Sequence, residues 1–392
     1  MLNTSTQSPH ERDDVMSSAR HIAARLGARA AQADSDCRIP DATIAEMKAV
    51  NLFRLLQPRR WGGREADPQL FIDVQNTLAE HCLSTAWVFG VLSVQSFMLS
   101  LFDMRAQQDV WGTDGSALMS SSFQPVGKAQ RVEGGFQVSG QWPYSSGCQH
   151  AQWAVLGALV PSELAEGAPE MRLFLVPRTD YEIVDTWNTF GLRGTGSHDI
   201  RVEHAFIPEY RTLKPEQGLT PGSTLSVHGV PLYRMPWLYM FTCTVAGLGI
   251  GGARGALNVF LDAAHARLST PAGKARMDTG VLQAAAHTKN AIDDIDATLR
   301  RNTARLMECA RTGETMAMAE ALQLRLHLTA IVRRCADLVE NLMPYLGARA
   351  VFLDNPFTRF WLDLSAARVH PGNDPSSVGA DLGKLLIGDA AS

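Results

Sequence analysis

Paired cysteines are missing from this chain. Its six, Cys37, Cys82, Cys148, Cys243, Cys309 and Cys335, lie far apart and form no Cys-x-x-Cys pair, so neither a zinc or other metal site nor a disulfide framework is expected. Such cysteine usage fits a reducing compartment, and a cytoplasmic setting is the expectation. An excess of one charge is missing too. Lysine and arginine number 36 against 40 acidic residues, a net charge of −4, which leaves no basic field to hold a nucleic acid backbone. Met1 to Asp14 is polar, carries Glu11, Asp13 and Asp14, and lacks the apolar stretch of a secretory signal. The apolar run from Trp87 to Leu101 is interrupted by Ser93, Gln95, Ser96 and Ser100, which suits a buried helix better than a membrane span. No Gly-x-Gly-x-x-Gly sits in a strand–helix–strand unit, so the chain is not expected to reduce a cofactor with NAD(P)H itself.

What is present reads as an α+β chain in three parts. Hydrophobic residues make up 45% of 392 positions and charged ones 19%, ordinary for a globular protein with room for two or three packed subdomains. Residues 1–114 read as an all-helical domain: Val15 to Ala33 has apolar residues at helical spacing, and Pro40-Asp41 and Asp67-Pro68 suit helix starts. Gln57 to Gly63, with a proline and paired glycines, reads as a loop. Residues 115–215 read as a middle β domain. Polar and apolar residues alternate around Gly134-Gly135 as in a hairpin, and further strands are expected over 153–160, 171–176, 181–187 and 200–207. An assembly of this size predicts a small β-barrel. Residues 216–392 return to the helical period. Gly247, Gly249, Gly251, Gly252 and Gly255 allow close helix approach, and Val281 to Cys309 and Met316 to Leu346 are long amphipathic stretches, as in a four-helix bundle.

Two segments carry the chemistry. Gly140 to His150 (Gly-Gln-Trp-Pro-Tyr-Ser-Ser-Gly-Cys-Gln-His) places aromatic rings, adjacent hydroxyls and a glycine at a strand edge. Flat rings pack a planar cofactor, and a hydroxyl beside a glycine approaches its edge closely. Arg368 to Pro375 supplies one imidazole, His370, in a turn-rich loop, and an imidazole titrates near neutrality.

These segments, with others in a set order, give the chain a resemblance. They are Leu56-Gln57-Pro58 with Trp61-Gly62-Gly63, Ser84-Thr85-Ala86-Trp87-Val88, Ser120-Ser121-Ser122, Trp142 to Ala151, Gly191-Leu192-Arg193-Gly194-Thr195-Gly196-Ser197, Pro231 to Trp237, Arg359 to Asp363, Arg368-Val369-His370 and Asn373-Asp374-Pro375. From about Asp41 to Pro375 the chain resembles the acyl-CoA dehydrogenase fold, and more closely the oxygenase components of two-component flavin monooxygenases, the seco-steroid phenol hydroxylases in particular. The resemblance implies that reduced flavin, FMNH2 or alternatively FADH2, arrives from a separate NAD(P)H-dependent reductase. It reacts with O2 to a C4a-hydroperoxide, and a phenol, steroid-derived in the nearest relatives, is hydroxylated ortho to its hydroxyl. A homotetramer is implied as well.

The resemblance assigns roles residue by residue. Ser146, with Ser145 as the alternative, is expected at the flavin N5/O4 edge, and His370 is expected as base or hydrogen-bond donor. Trp142 and Tyr144 are candidate flavin walls, each equally a core aromatic. Arg193, Thr195 and Ser197 are candidates for ribityl or phosphate oxygens, and Arg267 and Arg276 for the phosphate. Gln95, Ser120, Ser121 and Trp237 are candidates for the substrate pocket. Gln95 stands where some relatives have a histidine. Acyl-CoA dehydrogenases place a catalytic glutamate in the C-terminal loop or on a nearby helix, and this loop has none, which disfavours acyl dehydrogenation. Oxidation of an indole, a polyketide, an amino sugar nitrogen or a thiophene sulfur is the competing expectation.

Overall fold

Capping side chains set where the first helices begin. In a computed structural model, which describes residues 9–162, 168–215, 229–268, 271 and 279–388, the N-terminal helices are α1 (Pro9–Asp36), α2 (Asp41–Ala49), α3 (Pro68–Ala79), α4 (Leu83–Leu99) and α5 (Met104–Trp111). The Asp67 carboxylate accepts the Gln69 backbone N–H and Pro68 occupies the first turn of α3; Asp103 caps α5 through the Arg105 N–H. All of α4 is buried, as its interrupted apolar run predicts.

Seven strands follow: β1 (Met119–Val132), β2 (Gly135–Ser145), β3 (Trp153–Val160), β4 (Glu170–Pro177), β5 (Glu182–Val184), β6 (His198–Pro208) and β7 (Thr212–Leu213). They form one mixed sheet in the order β5-β6-β2-β1-β3-β4-β7, with β1 and β3 parallel and the other neighbours antiparallel. The expected barrel is therefore corrected to an open sheet. Its end strands, three and two residues long, lie at opposite edges and are not paired with each other among the described residues. They offer too few backbone groups for a closing ladder. Continuous apolar runs over 153–160 and 171–176 signal burial on both faces, and that burial arises here without closure. Register irregularities in β1 after Ser122 and in β2 after Val138 and Trp142 curl the sheet. One face wraps a core of Phe136, Val138, Trp142, Leu156 and Phe174, while Val155, Leu173 and Leu175 on the other join the helical core.

The C-terminal helices are α6 (Trp237–Leu268), α7 (Thr279–Thr312), α8 (Met318–Thr329), α9 (Ile331–Leu346), α10 (Pro356–Ala367) and α11 (Ser376–Ile387). The single stretch expected over 316–346 is broken at Ala330. There the Thr329 hydroxyl donates back to the carbonyls of Arg325 and Leu326, a competitor for helical hydrogen bonding. Helix α6 packs on α3, α4, α9 and α10. A Cβ at Gly251 would lie 2.3 Å from the Asn76 carbonyl oxygen, so glycine permits the α3 approach. By length and composition α6 alone among the described helices passes as a membrane span, yet 78% of that window is buried by these neighbours.

Candidate active site

Backbone bends at the end of β2 bring the site together. Tyr144 (φ 65°) and Gly147 (φ 69°) both adopt left-handed conformations around the serine pair, a cost that non-glycine residues bear only where the surroundings demand it. The Gly147 N–H donates to the Thr195 carbonyl at 2.9 Å, docking Ser146 on the loop that precedes β6. Ser146 Oγ lies 2.7 Å from Ser197 Oγ, and Ser197 Oγ lies 2.7 Å from Thr195 Oγ1. The Thr195 hydroxyl donates to the Leu192 carbonyl at 2.8 Å. From α4, the indole N–H of Trp87 donates to Ser146 Oγ at 3.1 Å. Ser145 is fully buried and its hydroxyl has no partner.

Leu192 anchors this loop. Its φ is 51°, and its N–H donates to Asp363 Oδ1 of α10 at 2.6 Å. Its carbonyl also accepts the Trp187 indole N–H. Burial, reinforced by the nearby charge of Asp34, pushes the Asp363 carboxyl up to about 8.

The indole that holds Ser146 also meets His370, with ring centroids 5.4 Å apart in an edge-to-face arrangement. His370 caps the short turn Pro371–Asn373, its Nδ1 accepting the Gly372 N–H at 3.0 Å. A backbone N–H can only donate, so the neutral ring carries its proton on Nε2. Burial pushes the imidazole down to about 4, so the neutral form prevails well below neutrality. Asn373, fully buried, donates to the carbonyls of Val245 and Ala367 and ties this turn to α6 and α10. Phe241 lies 6.1 Å from His370, Phe123 of β1 lies 5.2 Å from Phe241, and Trp237 packs edge-on against Phe123 at 5.4 Å. The Trp237 indole N–H donates to Pro215.

Gln95 lies two turns beyond Trp87 on α4. Its amide nitrogen donates to Ser121 Oγ at 2.9 Å and to the Val91 carbonyl at 3.3 Å. The carbonyl partner identifies the nitrogen, which leaves Oε1 buried with nothing bonded to it. Trp87, His370, Phe241, Phe123, Ser121 and Gln95 thus form a ring of side chains from α4, β1, α6 and the C-terminal turn. Ser120 points to the opposite face of β1 from Ser121, buried and without a partner.

The remaining expected site residues have partners outside this ring of side chains. Trp142 is fully buried in the sheet's own core, its indole N–H on the Gly157 carbonyl, so it presents no face to a ligand. Tyr144 is 62% exposed, with its ring edge-on to Trp187. Arg193 is occupied by Thr189 O, Asp34 O and Cys37 Sγ, stitching the loop to the end of α1. Arg267 donates to the carbonyls of Tyr345 and Leu346 at the end of α9. Arg276 lies outside the described residues. Trp87, Phe123, Asp363 and Asn373 had no individual role in the sequence reading. The signal for Trp87 was available: a tryptophan on a helix that reads as buried needs an acceptor for its N–H.

Helical regions flanking a curled sheet, with the C-terminal turn folded back on the sheet's serine edge, define the acyl-CoA dehydrogenase-like class. The family described as "Acyl-CoA dehydrogenase, C-terminal domain" matches residues 243–375. The crystal structure of 3-HSA hydroxylase from Rhodococcus sp. RHA1 superposes with a TM-score of 0.90 at 35% identity, covering 96% of this chain and 97% of that one. The flavin-dependent monooxygenase oxygenase subunit HsaA of Rhodococcus jostii is 38% identical over 358 residues, 89% of this chain and 92% of the relative. The oxygenase component of the FADH(2)-dependent resorcinol hydroxylase of a Rhizobium strain is 31% identical over 375 residues, 92% of this chain and 90% of its own length. The chain belongs to the family of flavin-dependent monooxygenase oxygenase subunits and is an enzyme of that family.

Proposed function

We propose that the ring of side chains around Trp87 hydroxylates a phenol carried on a bulky apolar body, a steroid-derived phenol foremost, using O2 and a reduced flavin delivered by a separate NAD(P)H-dependent reductase. One oxygen atom enters the ring, the other leaves as water, and reduced flavin supplies the two electrons. The observation that carries this reading is the convergence of Ser146, at 3.1 Å, and His370, at 5.4 Å, on one indole. The 3-HSA and resorcinol hydroxylases among the relatives support the phenol.

The residues fit a flavin. Ser146 is partly exposed beside a glycine, with an acceptor lone pair left over. When bound, reduced flavin supplies the oxygen-activating ring, and the cofactor carries the hard step. The chain's own residues do the rest. Ser146 holds the ring edge, Phe123, Trp237 and Phe241 exclude water and face the apolar body, Gln95 Oε1 accepts the substrate hydroxyl, and His370 offers the Nε2 proton as donor. Exposed Val351, Phe352, Leu353, Leu386 and Ile387 support burial between subunits of a homotetramer.

The test is turnover with a generic flavin reductase, FMN or FAD, and a panel of phenols and indoles under 18O2. The expected result is one labelled oxygen in a catechol from a bulky phenol. Quantitative H2O2 with every phenol, or a product from indoles alone, overturns the reading.

A further inference from the structure

The hydroxyl chain leading to Ser146 has only one possible direction. Three oxygen–oxygen contacts run along it: Ser146 to Ser197 at 2.7 Å, Ser197 to Thr195 at 2.7 Å and Thr195 to the Leu192 carbonyl at 2.8 Å. Oxygens this close need a hydrogen between them, and the three hydroxyls supply one each. A carbonyl oxygen only accepts, so the Thr195 hydrogen goes to Leu192. The Ser197 hydrogen must then go to Thr195, and the Ser146 hydrogen to Ser197. At the other end an indole N–H only donates, so Trp87 takes one Ser146 lone pair. Ser146 is left with no hydrogen to give and one lone pair to offer. Thr195 and Ser197 are buried, so water does not relieve the constraint.

We infer that Thr195 and Ser197 set the redox selectivity of the site: they turn Ser146 into an obligate acceptor, which matches the N–H at N5 of a reduced flavin and opposes the bare nitrogen of the oxidised form. This rests on the proposed flavin reading and adds two positioning residues that act through Ser146. Leu192, clamped by Asp363, is the terminal acceptor that gives the chain its polarity.

The test is anaerobic titration of the full-length protein with FMN and with dithionite-reduced FMN, in wild type and in Ser197→Ala, Thr195→Val and Trp87→Phe. Ser197→Ala frees the Ser146 hydrogen directly. Thr195→Val frees it at one remove, because the Ser197 hydrogen can then turn to Ser146. Both variants should lower the reduced-to-oxidised affinity ratio about tenfold, mostly by tighter binding of oxidised FMN, which corresponds to a fall of about 30 mV in the bound-flavin potential. Trp87→Phe leaves the direction of the chain intact and should keep the wild-type ratio. If both redox forms bind and Ser197→Ala and Thr195→Val keep the wild-type ratio, the inference is overturned while the flavin reading stands. Binding of neither form to the wild type overturns the flavin reading itself.

Discussion

On the β side of Trp87 every hydroxyl hydrogen from Ser146 to Thr195 is committed, and the loop before β6 is clamped by Asp363. On the helical side Gln95 Oε1 is buried with nothing bonded to it, and His370 touches rings rather than charges. The hydroxyl chain of the first wall is committed before any ligand arrives, so a ligand at Ser146 must conform to a preset pattern. The second is incomplete, and a buried acceptor without a donor is costly until a ligand supplies one. Trp87 joins the two, donating to the serine and packing edge-on to the imidazole. On the proposed function, the comparison amounts to a division of labour in which the sheet reads the cofactor and the helices read the substrate.

The largest effect is expected where the two walls meet. His370→Ala should lower hydroxylation about 100-fold or more, in the range of a lost acid–base group, while flavin affinity changes little. Single-turnover product yield against H2O2 release measures it, and an unchanged yield removes His370 from the chemistry. The pH dependence sharpens the same point. With its imidazole pushed down to about 4, His370 stays neutral, with the proton on Nε2, at any pH above that value. Protonation at Nδ1 would break the hydrogen bond from the Gly372 N–H that orients the ring, so the acid limb of the rate should fall near pH 4. A limb near 6.5 would mean that the ring titrates as it does in water.

Much of this architecture was legible beforehand, for reasons that differ by residue. Asp67-Pro68 announced a helix start through cap chemistry, and residues around Gly134-Gly135 announced a hairpin, because both signals are local. Convergence of Ser146 and His370 came only with the order of motifs, since no local rule brings residues so far apart in sequence together. Barrel closure was misread because alternation reports which faces are buried and says nothing about whether the end strands meet. Trp142 and Tyr144, two residues apart, are equivalent candidates in the sequence. The bulge after Trp142 and the left-handed Tyr144 send one ring into the core and the other into solvent. Arg193, in a loop offered for ribityl or phosphate oxygens, and Arg267, a candidate for the phosphate, have backbone carbonyl partners that a sequence cannot display.

A smaller effect tests whether the β wall is preset. Asp363→Leu removes the acceptor for the Leu192 N–H and should cost about 1–3 kcal/mol of stability, whereas Asp363→Asn keeps an acceptor and should be tolerated. Urea denaturation reads both. The pH profile has a definite sign. Folded Asp363, buried and beside Asp34, with Arg359 paired to Asp34, holds its proton up to about pH 8. The unfolded carboxyl loses it near 4, so its contribution to stability declines as pH rises between those values and is level above. Asp363→Asn should remove that decline. If Leu and Asn behave alike, the loop is held by packing and not by this hydrogen bond.

The smallest effect addresses the incomplete wall. If Gln95 Oε1 awaits a substrate hydroxyl, Gln95→Leu removes that acceptor and should raise KM for a phenol about tenfold, an effect of ~1.4 kcal/mol, with kcat and flavin affinity nearly unchanged. A phenol methyl ether, which has no hydrogen to donate, should bind wild type poorly and discriminate little between wild type and variant. Gln95→Leu also deletes a buried unsatisfied oxygen, so the unliganded variant should be no less stable than the wild type. A lower stability with unchanged KM would make Gln95 a structural partner of Ser121. The helical wall would then read shape alone, and the division between a sheet that recognises hydrogens and helices that recognise a hydroxyl would fail.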